Sequence, residues 1–116
     1  MIKRVVFRHM EHSKVIEEYA NQQLEKVIHF LENEPTPIYI DLIFEPSLVH
    51  EHHRVELLVK SPHYDLVSHY EFTGTGFYDV IDRVIDTMYH ELHEKKRKNE
   101  DMRKMRGRHE EFKKQR

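Results

Sequence analysis

The spacing of apolar residues changes period in a fixed order along the chain, and that order leaves few folds open. Over residues 2–8 the period is two: Ile2, Arg4, Val6 and Arg8 fall on one side of a strand, and Lys3, Val5 and Phe7 on the other. From Ile16 through Ala20, Leu24, Val27, Ile28 and Leu31 the step becomes three or four, which lines one face of a helix over about residues 14–32. Ser13 stands where an N-cap hydroxyl accepts an amide of the first turn, and Glu17 and Glu18 follow where carboxylates favour the helix dipole. Asn33-Glu34-Pro35-Thr36-Pro37 ends the helix, because proline lacks an amide donor and holds the preceding residue away from helical angles.

Three further runs return to period two. Ile38, Ile40, Leu42 and Phe44 alternate with Tyr39, Asp41, Ile43 and Glu45; Val55, Leu57 and Val59 alternate with Arg54, Glu56, Leu58 and Lys60. Ser61-Pro62-His63 makes a tight connection to a last strand in which Tyr64, Leu66, Ser68, Tyr70 and Phe72 share a face. Gly74-Thr75-Gly76 interrupts the pattern, with Thr75 or Gly76 as cap. A second amphipathic helix then carries Phe77, Val80, Ile81, Val84, Ile85, Met88 and Leu92 on one stripe. Beyond Leu92 the chain is polar, so the helix is expected to run into solvent and to end at Gly107. The order β-α-β-β-β-α predicts an α+β fold: a two-layer sandwich in which a four-stranded sheet carries both helices on one face. The other face is expected to be partly wet, as Arg54, Glu56 and Lys60 suggest. Residues 1–105 form the domain in this reading, and 106–116 a basic, disordered tail.

With 116 residues the chain is the size of one domain. Its net charge of −2 conceals an asymmetry: residues 1–94 hold 8 Lys and Arg against 17 Asp and Glu, whereas residues 95–116 hold 11 against 4. A basic end of this kind suits a phosphate-rich partner, since each neutralised phosphate releases condensed counterions; a solvated, partly frayed helix end is the plainer reading. Without cysteine there is no disulfide, thiolate zinc site or cysteine nucleophile, and cytoplasm is the default compartment. The N-terminal apolar run is too short for a signal peptide, and no stretch is long enough to span a membrane.

Catalytic patterns are absent. Three glycines leave little material for phosphate-cradling loops, and neither the P-loop nor the dinucleotide pattern occurs. Eleven histidines invite a metal reading, most of all at His50-Glu51-His52-His53, where His50 and His52 would project to one side of a strand. A third ligand is not evident, and an exposed polar hairpin rim explains the cluster as well. His90-Glu91-Leu92-His93-Glu94 resembles the zinc-protease helix, but that chemistry needs histidines four apart, and these are three apart. No enzyme activity, cofactor, metal or small-molecule substrate is expected.

Met10-Glu11 before the capped helix, Leu24 with Lys26 inside it, and the run Gly74-x-x-x-Tyr78-x-x-Ile81-Asp82-x-x-Ile85-Asp86, followed by Leu92 and a basic end, form an ordered set. In order and spacing it resembles the bacterial ribosome hibernation-promoting factors and ribosome-associated translation inhibitors, also called the sigma-54 modulation protein family, over about residues 2–98. The resemblance implies a fold like that of double-stranded-RNA-binding domains. It also implies a non-enzymatic protein that binds the small ribosomal subunit, rRNA and ribosomal proteins included, in the channel for mRNA and tRNA. Such binding inhibits translation and preserves idle ribosomes under stress. Longer members of the family carry a further C-terminal dimerisation domain, which a chain of 116 residues is expected to lack, and the oligomeric state is left open.

Binding to folded RNA rests on shape and charge. The cations available are Lys3, Arg4 and Arg8 on the first strand, Lys26 on the first helix (with Lys14), Arg83 on the second, and the block Lys95, Lys96, Arg97 and Lys98. Where relatives commonly carry Lys or Arg on the second helix this chain has Thr87, His90 and Glu94, and Gln23 replaces a frequent cation on the first. His90 and His93 could restore charge as pH falls, which makes His90 a candidate contact. Tyr78, at a helix start, is expected to pack on its own sheet rather than stack on a base. The competing reading is a protein interaction module of the same fold that has lost its RNA surface.

Overall fold

Each change of period becomes one element. The computed structural model describes residues 1–46, 52–73 and 77–114, with positions 46, 52, 53, 72, 73 and 105–114 described as backbone only. Strand β1 spans Ile2–Phe7, helix α1 Lys14–Leu31, strands β2, β3 and β4 Tyr39–Pro46, His52–Lys60 and Asp65–Thr73, and helix α2 Phe77–Lys114. Ser13 caps α1 as expected: its extended backbone turns the hydroxyl onto the Ile16 amide at 3.4 Å. Ser61 closes the β3–β4 turn, its amide donating to the Tyr64 carbonyl at 2.7 Å while its hydroxyl accepts from the Tyr64 amide at 3.1 Å. The proposed cap at Thr75 or Gly76, and His50 with Glu51 of the histidine cluster, lie outside the described residues.

The sheet keeps chain order, β1-β2-β3-β4, with β1 parallel to β2 and the other pairs antiparallel. Register decides which side chains share a face. Val5, Leu42, Leu57 and Ser68 lie in one row, Phe7, Phe44, Val55 and Tyr70 in the next. These rows meet the helices. Ala20, Leu24, Val27 and Leu31 of α1 and Val80, Ile81, Val84, Ile85, Met88 and Leu92 of α2 are buried with Ile40, Leu42, Phe44, Val55, Leu57 and Val59 in one core. Burying a side chain of this size stabilises the fold by about 1.5–3 kcal/mol. Ser68 is the one polar side chain buried among the described residues, and its hydroxyl donates to the Val84 carbonyl of α2 at 2.7 Å. On the opposite face Arg4 reaches Asp41, and Arg54 reaches Glu71 at 3.7 Å, with the exposed apolar side chains of Ile2, Tyr39 and Val67 beside them, so that face is mixed and faces solvent.

The length of α2 differs from expectation. The helix does not stop at Gly107 but continues through it to Lys114. One glycine costs a helix about 1 kcal/mol relative to alanine, and good helix formers on both sides (Arg103, Lys104, Met105 and Arg106 before it, Glu110 and Glu111 after it) offset that cost. At about 1.5 Å per residue the 38 residues of α2 extend roughly 57 Å. This helix therefore sets the 66 Å long axis of a molecule only 26 × 18 Å across.

Candidate nucleic-acid interface

α1 and α2 run side by side and parallel, since each step along one finds its partner further along the other. Tyr19 of α1 meets Asp82, its hydroxyl donating to both carboxylate oxygens at 2.7 and 2.9 Å. One helical stretch later the Lys26 ammonium pairs with Asp86 and lies 5.3 Å from the centre of the Tyr89 ring. Next, Phe30 and His93 meet edge to face at 4.7 Å, with Tyr89 against His93 at 4.4 Å. The Lys96 ammonium closes the seam, 5.6 Å from the Phe30 ring centre. Hydrogen bonding to Asp82 pushes the Tyr19 phenol up to about 12, and burial adds to it. Tyr64, under the far end of the seam, is also raised, first by burial and then by Glu34.

Charge is segregated along α2. From Phe77 to Glu94 it carries Asp79, Asp82, Asp86, Glu91 and Glu94 against Arg83 alone; from Lys95 to Lys104 it carries six cations against Glu100 and Asp101. Of these only Asp79 lies in the first turn, where a carboxylate complements the helix dipole. Leu92 is the last buried side chain described on α2, and Lys95, Lys96, Arg97 and Lys98 are all exposed on the turn that follows. On one side this stretch is steadied by the body: Lys96, Asn99, Glu100 and Arg103 border a cleft of about 190 Å³ with His63 and Tyr64. On another side His90, His93, Lys96 and Arg97 line an open depression together with Glu94 and Glu100. The region can hold polyanions by charge and offers half-buried aromatic edges, but no nucleophile paired with a base. Among the described residues no group of three His, Asp or Glu is placed to hold a metal.

The cations singled out from sequence do not converge on one surface. Lys95, Lys96, Arg97 and Lys98 share one turn of α2 past Leu92, His90 is exposed on the turn before them, and Lys26 lies on the adjoining seam with its ammonium taken by Asp86. Arg83 is on the β4 side of α2, donating to the Tyr70 hydroxyl at 3.3 Å. Arg4 is on the sheet face away from the helices, its guanidinium held by both Asp41 oxygens at 2.9 and 3.1 Å. Lys3 is exposed beside α1, and Arg8 is exposed just past the end of β1. Tyr78 is corrected: it does not pack on the sheet but meets Tyr19 edge to face at 4.8 Å and is 42% exposed. As the second residue of α2 it lies off the apolar stripe and over the neighbouring helix.

Sequence reasoning missed the seam itself. Its signal was present in Ile81-Asp82 and Ile85-Asp86, where an acid stands beside the buried stripe at a four-residue repeat, ready to meet Tyr19 and Lys26 once α1 lies parallel.

Solved structures share this arrangement of sheet and helices. The N-terminal domain of Protein Y from Thermus thermophilus superposes with a TM-score of 0.58 at 18% identity, covering 78% of this chain and 91% of that one. A ribosomal subunit interface protein from Coxiella burnetii gives a TM-score of 0.63 at 18% identity, over 83% and 98%. None of the curated proteins matches the chain. The sequence match to a family model begins at Arg4 on β1 and ends at residue 100, so it takes in the whole sandwich, the seam and the cationic turn of α2: the chain belongs to the family described as sigma 54 modulation protein / S30EA ribosomal protein.

Proposed function

We propose that this protein binds the small ribosomal subunit in the channel that mRNA and tRNA use, keeps idle ribosomes from translating, and does so in the cytoplasm without covalent chemistry. Family membership supports a ribosomal partner, and the observation that carries the contact surface is the exposed turn Lys95-Lys96-Arg97-Lys98 on a helix that has already left the core. Structured RNA presents phosphates and 2′-hydroxyls over wide surfaces, and a projecting cationic helix reaches them with little desolvation of the body. The block and His90 take the larger part in this proposal. Lys26 joins from the seam, while Lys3, Arg4, Arg8 and Arg83 take supporting parts at the periphery.

The acidic body has a role of its own. Residues 1–94 carry nine more acidic than basic side chains, so a phosphate surface repels the body while it attracts the outer half of α2. Approach is therefore oriented, helix end first. Cosedimentation with purified small subunits tests the proposal: binding that is present at low ionic strength and lost as salt rises is the expected result. Salt-insensitive association with a single protein would instead favour the interaction-module reading.

A further inference from the structure

Strand β1 is the edge of the sheet. The Ile2 amide donates to the Ile38 carbonyl and the Arg8 amide to the Phe44 carbonyl, both at 2.8 Å, so the even-numbered residues of β1 aim their backbone groups at β2. By the two-residue repeat of a strand, Lys3, Val5 and Phe7 aim theirs outward, and among the described residues no strand lies there. A groove of about 690 Å³ opens beside the start of β1, between Lys3 and the face of α1 that carries Asn21, Gln22 and Ile28. Two exposed carboxylates border it, Glu25 and Glu32, the latter 3.3 Å from His29 Nδ1. Of the lysines at its border, Lys26 is occupied by Asp86, which leaves Lys3 alone against the two acids.

We propose that this groove takes an extended peptide segment bearing Lys or Arg, which adds to β1 as a fifth strand. Outward backbone groups at three alternate residues are what strand addition requires, and side-chain pockets beside them supply preference. An ammonium or guanidinium meets Glu25 and Glu32. A nucleic acid is repelled by the same two carboxylates. A second copy of the chain is disfavoured too, because pairing β1 with itself about a twofold axis sets the acidic rims against each other. The groove shares Lys3 and Lys26 with the periphery of the ribosomal proposal, but the block Lys95-Lys96-Arg97-Lys98 that carries that proposal does not line it.

The test uses the whole protein and a six-residue peptide of alternating lysine and valine, matched to the six residues of β1. Amide exchange followed by NMR should slow about tenfold or more at Val5 and Phe7 on saturation, with Ile2, Arg4 and Val6 unchanged. The same peptide N-methylated at alternate residues keeps its charge and should not bind. Glu25→Lys/Glu32→Lys should weaken binding about tenfold or more, and this double variant alters only exposed positions. Equal binding of the N-methylated peptide would overturn the proposal, since attraction to the acidic body would then suffice. So would protection of β1 that grows with protein concentration alone, or affinity indifferent to the double substitution.

Discussion

Tyr19→Phe removes one hydroxyl and tests whether the seam between the helices is held as described. That hydroxyl donates to both oxygens of Asp82 at 2.7 and 2.9 Å. A hydrogen bond to a charged acceptor contributes about 1.5–3 kcal/mol when buried; this one is part-buried and screened by water, so about 1 kcal/mol is the working figure. Unfolding entropy of about 2.1 cal/mol/K per residue, over the 116 residues present, makes that a fall in Tm of about 4 °C. The effect depends on pH in a definite direction. Asp82 raises the Tyr19 phenol from 10.0 to about 12, so between those values the folded protein holds a proton that the unfolded chain has lost. The contribution is therefore complete below pH 10 and disappears as pH rises from 10 to 12. Thermal unfolding of parent and variant, followed by circular dichroism at about pH 8 and about pH 11.5, reads both features. Equal melting at the lower pH, or a gap that persists undiminished at the higher, would refute the reasoning.

The remaining predictions separate core from projection. Leu92→Ala cuts the last buried side chain of the α2 stripe and should cost about 2–4 kcal/mol, read by urea denaturation; a cost under about 1 kcal/mol would mean that the core ends earlier. Asp86→Asn breaks the pair with Lys26, whose side chains are 56% and 39% exposed, and should change stability by less than about 0.5 kcal/mol in the same assay. Gly107→Ala should increase the helical signal, since alanine favours a helix by about 1 kcal/mol over glycine, yet move the global Tm by less than about 1 °C. A large global shift would show that the outer helix is coupled to the core.

Most of the fold could be read because two periods, two and about three and a half, report directly on which face is buried. Val55, Leu57 and Val59 are buried, as alternation required, and Ser13 caps α1 because its hydroxyl precedes the first apolar turn. The end of α2 could not be read that way. A helix in solvent has no apolar stripe to mark its length, and a single Gly107 is too weak a signal against its neighbours. The binding surface was legible as a list of cations but not as a place. Arg4 and Arg83 each found a partner within the fold, Asp41 and Tyr70, which sequence separations of 37 and 13 residues conceal. Tyr78 turned toward Tyr19 because α1 occupies the space beside the start of α2, a fact of helix pairing rather than of local pattern.

The claim beneath the functional proposal is that the exposed turn of α2 supplies the ribosomal contact by charge. Binding to purified small subunits should be measured over a series of salt concentrations, for the parent and for Lys95→Ala/Lys96→Ala/Arg97→Ala/Lys98→Ala. Loss of these cations should lower the slope of log affinity against log salt by about 3, at roughly 0.7–0.9 for each phosphate contact, while leaving Tm unchanged. An unaltered slope with unaltered affinity would contradict the account.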